Sequence, residues 1–231
     1  MARERSAPVQ LALDLAGSPS HSAEDFLIGP SNEEAYGLVE SWPDWPDSVL
    51  ALIGPEGSGK THLAAIWAER SHAWRIGVDA VTMDRVPELA SSSALVIEDC
   101  ERAERNEAAL FHLLNLVRAR GGWLVLTART APDSWGLATP DLLSRLRLAP
   151  SARIQPPDDA LLRAVLVKHF IDRQLIVDTG VIEAVALRIP RSFAQARQVV
   201  DAIDRASLER GRRVTRTFAS EYADKQAMAG E

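Results

Sequence analysis

The sequence predicts an α/β fold in which a five-stranded parallel sheet, covered by helices on both faces, is followed by a small all-α subdomain. Three observations predict it. Between residues 49 and 155, short apolar runs alternate with helix-length amphipathic stretches, the mark of strands and helices winding a parallel sheet. A glycine-rich loop at 54–61 joins the first of those runs to the first of those stretches. Beyond Pro156-Pro157 the strand pattern ends and only helical spacing remains. The 231 residues, 46% hydrophobic and 25% charged, have ordinary globular composition and leave room for one domain or two small ones.

Residues 1–22 are rich in Ala, Ser, Pro and Gly and read as a flexible tail carrying one alternating segment, Gln10-Leu11-Ala12-Leu13-Asp14-Leu15. The sheet-bearing subdomain spans 23–155, with its folded body starting near Phe26. Residues 49–53 are the first strand, a continuous apolar run of the kind buried on both faces, and 61–71 are the helix that follows the glycine turn. Further strands are expected at 74–78, 94–97 and 123–127, with an amphipathic helix at 105–120 between the last two and a weak fifth strand at 153–155. The Pro156-Pro157 pair lacks two backbone donors and biases the preceding residue to extended geometry, which makes a natural hinge. After it, 158–174, 178–187, 192–210 and 217–228 have helical spacing, so 156–231 form a separate helical subdomain.

Charge and cysteine usage exclude several classes. The 26 Lys and Arg against 32 Asp and Glu leave a net charge of -6, which disfavours a partner held by bulk attraction to a phosphate backbone but permits a local basic patch. A single cysteine, Cys100, excludes an internal disulfide or a multi-Cys zinc site and fits a reducing compartment. No apolar run approaches the roughly 20 residues of a bilayer crossing, and charges stand where a secretory signal would place its apolar core. The expectation is a cytoplasmic protein with no membrane partner.

Gly54-Pro55-Glu56-Gly57-Ser58-Gly59-Lys60-Thr61 fits G-x-x-x-x-G-K-[ST] in the strand-to-helix context its mechanism requires. Glycines let backbone N–H groups close around phosphate oxygens, and the helix amino terminus adds partial positive charge. Lys60 reaches the outer phosphates, and the Thr61 hydroxyl is placed to ligate magnesium. The motif predicts a P-loop NTPase module with ATP or ADP and Mg2+ as ligands; a glycine turn that only caps a helix is the plainer alternative, disfavoured by the flanking pattern. Leu95-Val96-Ile97-Glu98-Asp99 ends a buried strand in two carboxylates, a Walker B candidate with Glu98 as magnesium ligand and Asp99 as water-orienting base. The usual first residue is Asp, so Glu98 is one methylene longer than usual and Asp99 shorter than a Glu base. Catalysis of phosphoryl transfer is largely positioning, so this order predicts slow intrinsic hydrolysis. Thr127, at the end of the fourth strand, either bonds its own turn or points its hydroxyl toward the γ-phosphate. Arg145 is either an exposed helix arginine or one offered to a neighbouring subunit's phosphate.

Together these residues resemble the AAA+ ATPases of the bacterial replication-initiator class, the DnaA/Hda family, over about residues 24–225, and within it the short Hda-type homologues. Asp25-Phe26-Leu27-Ile28-Gly29-Pro30-Ser31-Asn32 looks like the family's amino-terminal linker, which implies that Phe26 and Ile28 lie near the adenine. Leu126-Thr127 looks like the sensor 1 region, and Asp141-Leu142-Leu143-Ser144-Arg145-Leu146 is similar to the segment bearing the arginine finger, which puts that trans-acting role on Arg145. Asp204-Arg205-Ala206-Ser207 matches the penultimate lid helix. For sensor 2, Pro190-Arg191-Ser192-Phe193-Ala194-Gln195-Ala196-Arg197 offers two arginines, of which Arg191 is chosen. The chain stops at Glu231, after the lid, and 82–93 carries only one basic residue, Arg85. Neither the initiator's helix-turn-helix nor a single-strand-binding insertion is therefore expected. The 10–15 segment resembles the Q-L-x-L-x-L peptide by which Hda-type proteins hold the β sliding clamp. Gln10 would bond a pocket rim, with Leu11 beside it and Leu13 and Leu15 in apolar pockets.

The resemblance implies a nucleotide-bound regulator of chromosome replication initiation. Tethered to the clamp, it would present Arg145 to ATP held by the initiator DnaA, stimulate its hydrolysis and prevent re-initiation. Self-association and weak non-specific contact with clamp-loaded DNA are compatible with it, as is a place at the nucleoid. Two other readings stay open: an autonomous AAA+ ATPase acting as helicase loader or origin-associated motor, and a clamp-bound adaptor recruiting another factor to the origin. The aromatic Trp42-Pro43-Asp44-Trp45-Pro46 is either a partner surface or a cover for the sheet edge. Arg210-Gly211-Arg212-Arg213 with Arg216 is either a polyanion contact or a solvated turn.

Overall fold

A computed structural model describes residues 23–229, with side chains described as far as Gln226. The candidate clamp residues Gln10, Leu11, Leu13 and Leu15 lie outside the described residues. Five strands, β1 (Val49–Ile53), β2 (Trp74–Gly77), β3 (Ala94–Glu98), β4 (Trp123–Ala128) and β5 (Ser151–Arg153), make one sheet in the order β2-β3-β4-β1-β5. Every neighbouring pair is parallel. This order sets β4 between β1 and β3, so the loop after β1 and the acids that end β3 flank the carboxyl end of β4.

Strand side chains alternate between two cores, as the period of two requires. Leu95 and Ile97 of β3 join Leu124 and Leu126 of β4 on one face. There they meet α4 (Glu107–Arg120), the short α3 (Val86–Leu89) and α5 (Pro140–Arg147). On the other face Leu50, Leu52, Val96 and Val125 pack with α1 (Glu33–Glu40) and α2 (Lys60–Ser71). The carboxy-terminal helices, α6 (Asp159–Asp172), α7 (Thr179–Ala186), α8 (Phe193–Arg210) and α9 (Arg216–Ala229), enclose a third core around Leu166, Phe170, Val185, Val199 and Ile203.

Departures from the sequence expectations have local causes. The helices expected from 158, 178 and 192 begin one residue later, because Asp158, Asp178 and Ser192 are N-caps whose side chains accept from Leu161, Val181 and Gln195 N–H. Asn106 likewise caps α4, so that helix opens at Glu107 rather than 105. The fifth strand lies at 151–153, two residues earlier than expected; only Ala152 of its three residues is buried, which leaves little apolar signal. Helix α1 was not anticipated, since only Ala35 and Val39 are buried along its eight residues. The tryptophan-rich segment is a packing element. Trp45 stacks on Trp67 with centroids 5.5 Å apart, Trp42 and Trp45 meet Trp123 edge-on, and Trp45 Nε1 donates to Leu38 O at 2.6 Å.

Trp67 is fully buried at the centre of this cluster, whereas Trp74 is 47% exposed on β2. Trp67→Ala is therefore expected to lower unfolding free energy by about 3–5 kcal/mol, and Trp74→Ala by less than about 1 kcal/mol, both read from urea denaturation.

Candidate functional site

The site grows from the carboxyl ends of β1, β4 and β3. Gly54 N–H donates to Ala128 O at 3.1 Å, which ties the start of the loop to β4. Gly57 has φ +69° and Gly59 φ +100°, conformations that favour glycine. Lys60 opens α2 and spans the loop, its Nζ donating to Gly54 O at 2.6 Å and Pro55 O at 2.8 Å. Burial holds its pKa below the ordinary lysine value, opposed by Glu101 and reinforced by Arg129. Ser58 is buried with a hydroxyl that has no hydrogen-bond partner. A loop with flexible backbone donors, an enclosed ammonium and a spare hydroxyl suits a polyphosphate.

The Walker B candidate lies beside it. Thr61 Oγ1 donates to Glu98 Oε2 at 2.8 Å, so a hydroxyl and a carboxylate stand together as a hard cation would use them. The other oxygen, Oε1, receives Arg75 Nη2 at 2.6 Å. Among the described residues no cluster of three or more His, Cys, Asp or Glu could hold a metal unaided, so Mg2+ here would need phosphate and water to complete its shell. Asp99 has φ +59° and pairs with Arg102 at 2.7 Å. Thr127 is buried; its Oγ1 accepts from Asp99 N–H at 3.2 Å and its carbonyl from Cys100 N–H at 2.9 Å. The structure thus brings Thr127 against the backbone of the acidic turn. Cys100 is buried, and burial pushes its thiol pKa far up, leaving it an unreactive packing group.

A cleft of about 670 Å³ separates this loop from the helical subdomain, within the range of small-molecule sites. Phe26 and Leu27 form one wall, His62 and the loop the floor, and Lys168, Phe193 and Arg197 the opposite side. Phe26 stacks on Tyr36 at 5.6 Å and meets His62 edge-on at 5.2 Å. Two contacts close the frame: Phe193 N–H donates to Gly57 O at 2.8 Å, and Lys168 Nζ pairs with Asp25 at 2.8 Å.

Of the expected nucleotide residues, Phe26, Gly57, Gly59, Lys60 and Thr61 line this cleft, whereas Gly54, Pro55, Glu56 and Ser58 of the loop, and Ile28 and Arg191 outside it, do not. Ile28 is 52% exposed and absent from the lining, where Leu27 stands instead. Arg191 precedes the Ser192 cap and turns outward to Asp159 at 2.8 Å. Arg197 reaches the cleft because it lies one helical turn after Phe193, on the same face of α8. Arg145 is distant from the loop in another sense: it lines a separate hollow of about 460 Å³ with Phe111, Asp141, Ser144 and Leu148, and shares no residue with the cleft. It is exposed, and its guanidinium is in none of the ion pairs found among the described residues. Sequence reasoning missed Arg75, Lys168 and Phe193. Phe193 was legible in principle through its spacing from Arg197, while Arg75 and Lys168 depend on register and on packing between subdomains.

No protein-family model matches the chain. It is 24% identical over 233 residues to the chromosomal replication initiator protein DnaA of Campylobacter fetus, covering 90% of this chain and 53% of that one. It is 26% identical to DnaA of Thermomicrobium roseum, covering 87% and 49%. The chain thus spans about half the length of these relatives. Domain III of Thermotoga maritima DnaA superposes with a TM-score of 0.78 at 19% identity, covering 91% of this chain and 98% of that structure. The AMPPCP-bound DnaA of Aquifex aeolicus gives 0.67 at 16%, covering 92% and 70%. The fold is therefore the AAA+ fold of a five-stranded parallel sheet followed by a helical part. No helix among the described residues is long and apolar enough to cross a membrane.

A Cβ at Gly57 would stand 2.0 Å from Ser192 Oγ and 3.1 Å from Ala194 N. Gly57→Ala should thus push the helical subdomain off the loop and weaken ADP binding by about tenfold or more, measured by titration calorimetry. His169 of α6 has its pKa held down to about 4 by burial, then by Arg173. Because the folded value lies below the unfolded one near 6.5, the unfolded chain takes up the proton first as pH falls. Stability contributed by neutral His169 is full above about pH 6.5 and is lost toward pH 4, by roughly 1–3 kcal/mol. His169→Gln should flatten the urea midpoint across that window.

Proposed function

We propose that this chain is a DnaA-related nucleotide-binding regulator of chromosome replication initiation. In this reading it binds the β sliding clamp through Gln10, Leu11, Leu13 and Leu15 and stimulates hydrolysis of ATP bound to the initiator DnaA. The observation that carries the reading is the placement of Arg145, exposed and without an ion pair among the described residues, in a hollow that shares no residue with the chain's own loop 54–61. An arginine so placed can serve a phosphate on a neighbouring molecule but not its own. Similarity to DnaA proteins over most of the chain supports the initiator as that neighbour.

The chain's own nucleotide has a structural part in this account. Loop N–H groups and Lys60 bind the phosphates of ADP or ATP, Phe26 and Leu27 wall the base end, and Arg197 reaches in from the helical subdomain. Thr61 and Glu98 stand where Mg2+ would be held, but Glu98 Oε1 already receives Arg75 Nη2, so charge at the phosphates is met by Lys60 and the loop N–H groups. Asp99 is engaged by Arg102, which supports slow turnover of its own ATP. At the initiator, Arg145 would bring a fixed positive charge to the γ-phosphate as charge builds in transfer, a contribution of about 10³–10⁵ where a trans-acting arginine has been isolated.

Hydrolysis of ATP prebound to cognate initiator, in the presence of clamp-loaded DNA, tests this directly. The chain should stimulate it, Arg145→Ala should remove most of that stimulation, by about 10²-fold or more, and Ala at Gln10, Leu13 and Leu15 together should abolish clamp binding. Clamp binding without stimulation would replace the regulator with an adaptor. ATP turnover by the chain alone that rises steeply with its concentration would replace it with a motor.

A further inference from the structure

We infer that Arg75 is a built-in counter-ion of Glu98 and that it makes adenine-nucleotide binding by this chain independent of a divalent metal. The inference rests on the reading of 54–61 as a nucleotide site and goes beyond it by assigning how that site meets charge. In the β2–β3 pairing Gly77 stands opposite Glu98 and Arg75 opposite Val96. Residues two apart on a strand share a face, so Arg75 and Glu98 project on the same side of the sheet. From there Arg75 Nη2 reaches Oε1 at 2.6 Å, while Thr61 Oγ1 holds Oε2 at 2.8 Å. Both oxygens of the one carboxylate suited to a cation are engaged.

The engagement bears on metal because a guanidinium keeps its charge at any working pH. A divalent ion brought to Glu98 and Thr61 would share the carboxylate with that charge at close range. The two side chains are only 35% and 20% exposed, so solvent screens the repulsion incompletely. The pattern extends around the loop: Arg102 pairs with Asp99 at 2.7 Å, and Arg129 with Glu56 at 3.0 Å and Glu101 at 3.4 Å. Each of these four acids is met by an arginine, Arg129 serving two of them, so none repels the phosphates strongly or stands open to a metal. Lys60 and the loop N–H groups then suffice to hold a diphosphate. Arg75 acts through Glu98 and is a positioning residue.

The test is ADP binding to the full chain by calorimetry, in magnesium and in EDTA, with Mn2+ binding followed in parallel by the free-ion electron paramagnetic resonance signal. The wild-type dissociation constant should change by less than about threefold between the two buffers, with little Mn2+ captured. Arg75→Met should bind Mn2+ with ADP and lose about tenfold or more in affinity in EDTA relative to magnesium. Arg75→Lys, which keeps the charge, should remain closer to wild type. Wild-type binding that already weakens about tenfold in EDTA would overturn the inference while leaving the nucleotide site in place, and that arm stands whether or not the variants fold. An unchanged metal response in a folded Arg75→Met chain would overturn it as well. No ADP binding in either buffer would instead overturn the nucleotide reading on which it rests.

Discussion

The carboxyl end of β4 holds the site together. Ala128 accepts from Gly54 N–H on one side, and Thr127 accepts from the N–H groups of Asp99 and Cys100 on the other. Two consecutive residues of one buried strand therefore fix both the take-off of the loop after β1 and the acidic turn after β3. This is possible only because the sheet is parallel and places β4 between those strands; a parallel sheet gathers its carboxyl ends, with their loops, along one edge. The left-handed conformation of Asp99 belongs to this clasp. Its N–H is turned to Thr127 Oγ1 while its carboxylate faces Arg102, so the turn is anchored by backbone and its acid is left to side-chain electrostatics.

The same loop carries the contact with the helical subdomain. Gly57 has no side chain, and Ser192 and Ala194 fill the space one would need, which lets Phe193 N–H reach Gly57 O. That bond places the first turn of α8, and with it Arg197, over the cleft. On the opposite rim Lys168 of α6 pairs with Asp25 at the start of the described residues. The first described residues are thus attached to the helical subdomain across the cleft. A ligand that moved α6 against the sheet would be felt at both ends of this frame.

What the sequence disclosed follows from how local each feature is. Strand β1 was legible to the residue, because five consecutive apolar side chains followed by a glycine-rich loop is a pattern contained within 49–61. The first three helices of the carboxy-terminal part were displaced by a single residue, since a cap and a first helical residue differ only in backbone angles. Thr127 was left with two readings, and the geometry joins it to Asp99 N–H through a strand order that no local pattern encodes. Arg191 and Arg197 are alike in composition and differ only in standing before or after a cap, which decides outward or inward direction. The pairing of Arg75 with Glu98 was invisible for the same reason as Thr127's bond: it depends on β2 and β3 being neighbours in a particular register.

Electrostatics divides the molecule's cations by task. Around the loop, Arg75, Arg102 and Arg129 are each satisfied by an acid, and such pairs stabilise little when exposed but remove net charge from their surroundings. Pairing of this kind lowers the repulsion that acids beside the loop would otherwise exert on a phosphate, and it leaves Asp99 engaged by Arg102. Arg145 is the converse: among the described residues its charge has no ion-pair partner, and it stands at the surface beside Leu148, which is 62% exposed. A chain with net charge -6 has acids enough to pair that arginine. A guanidinium already bound to a carboxylate would have to break that pair before it could stabilise a phosphate on another molecule, a cost that an arginine outside any pair does not carry.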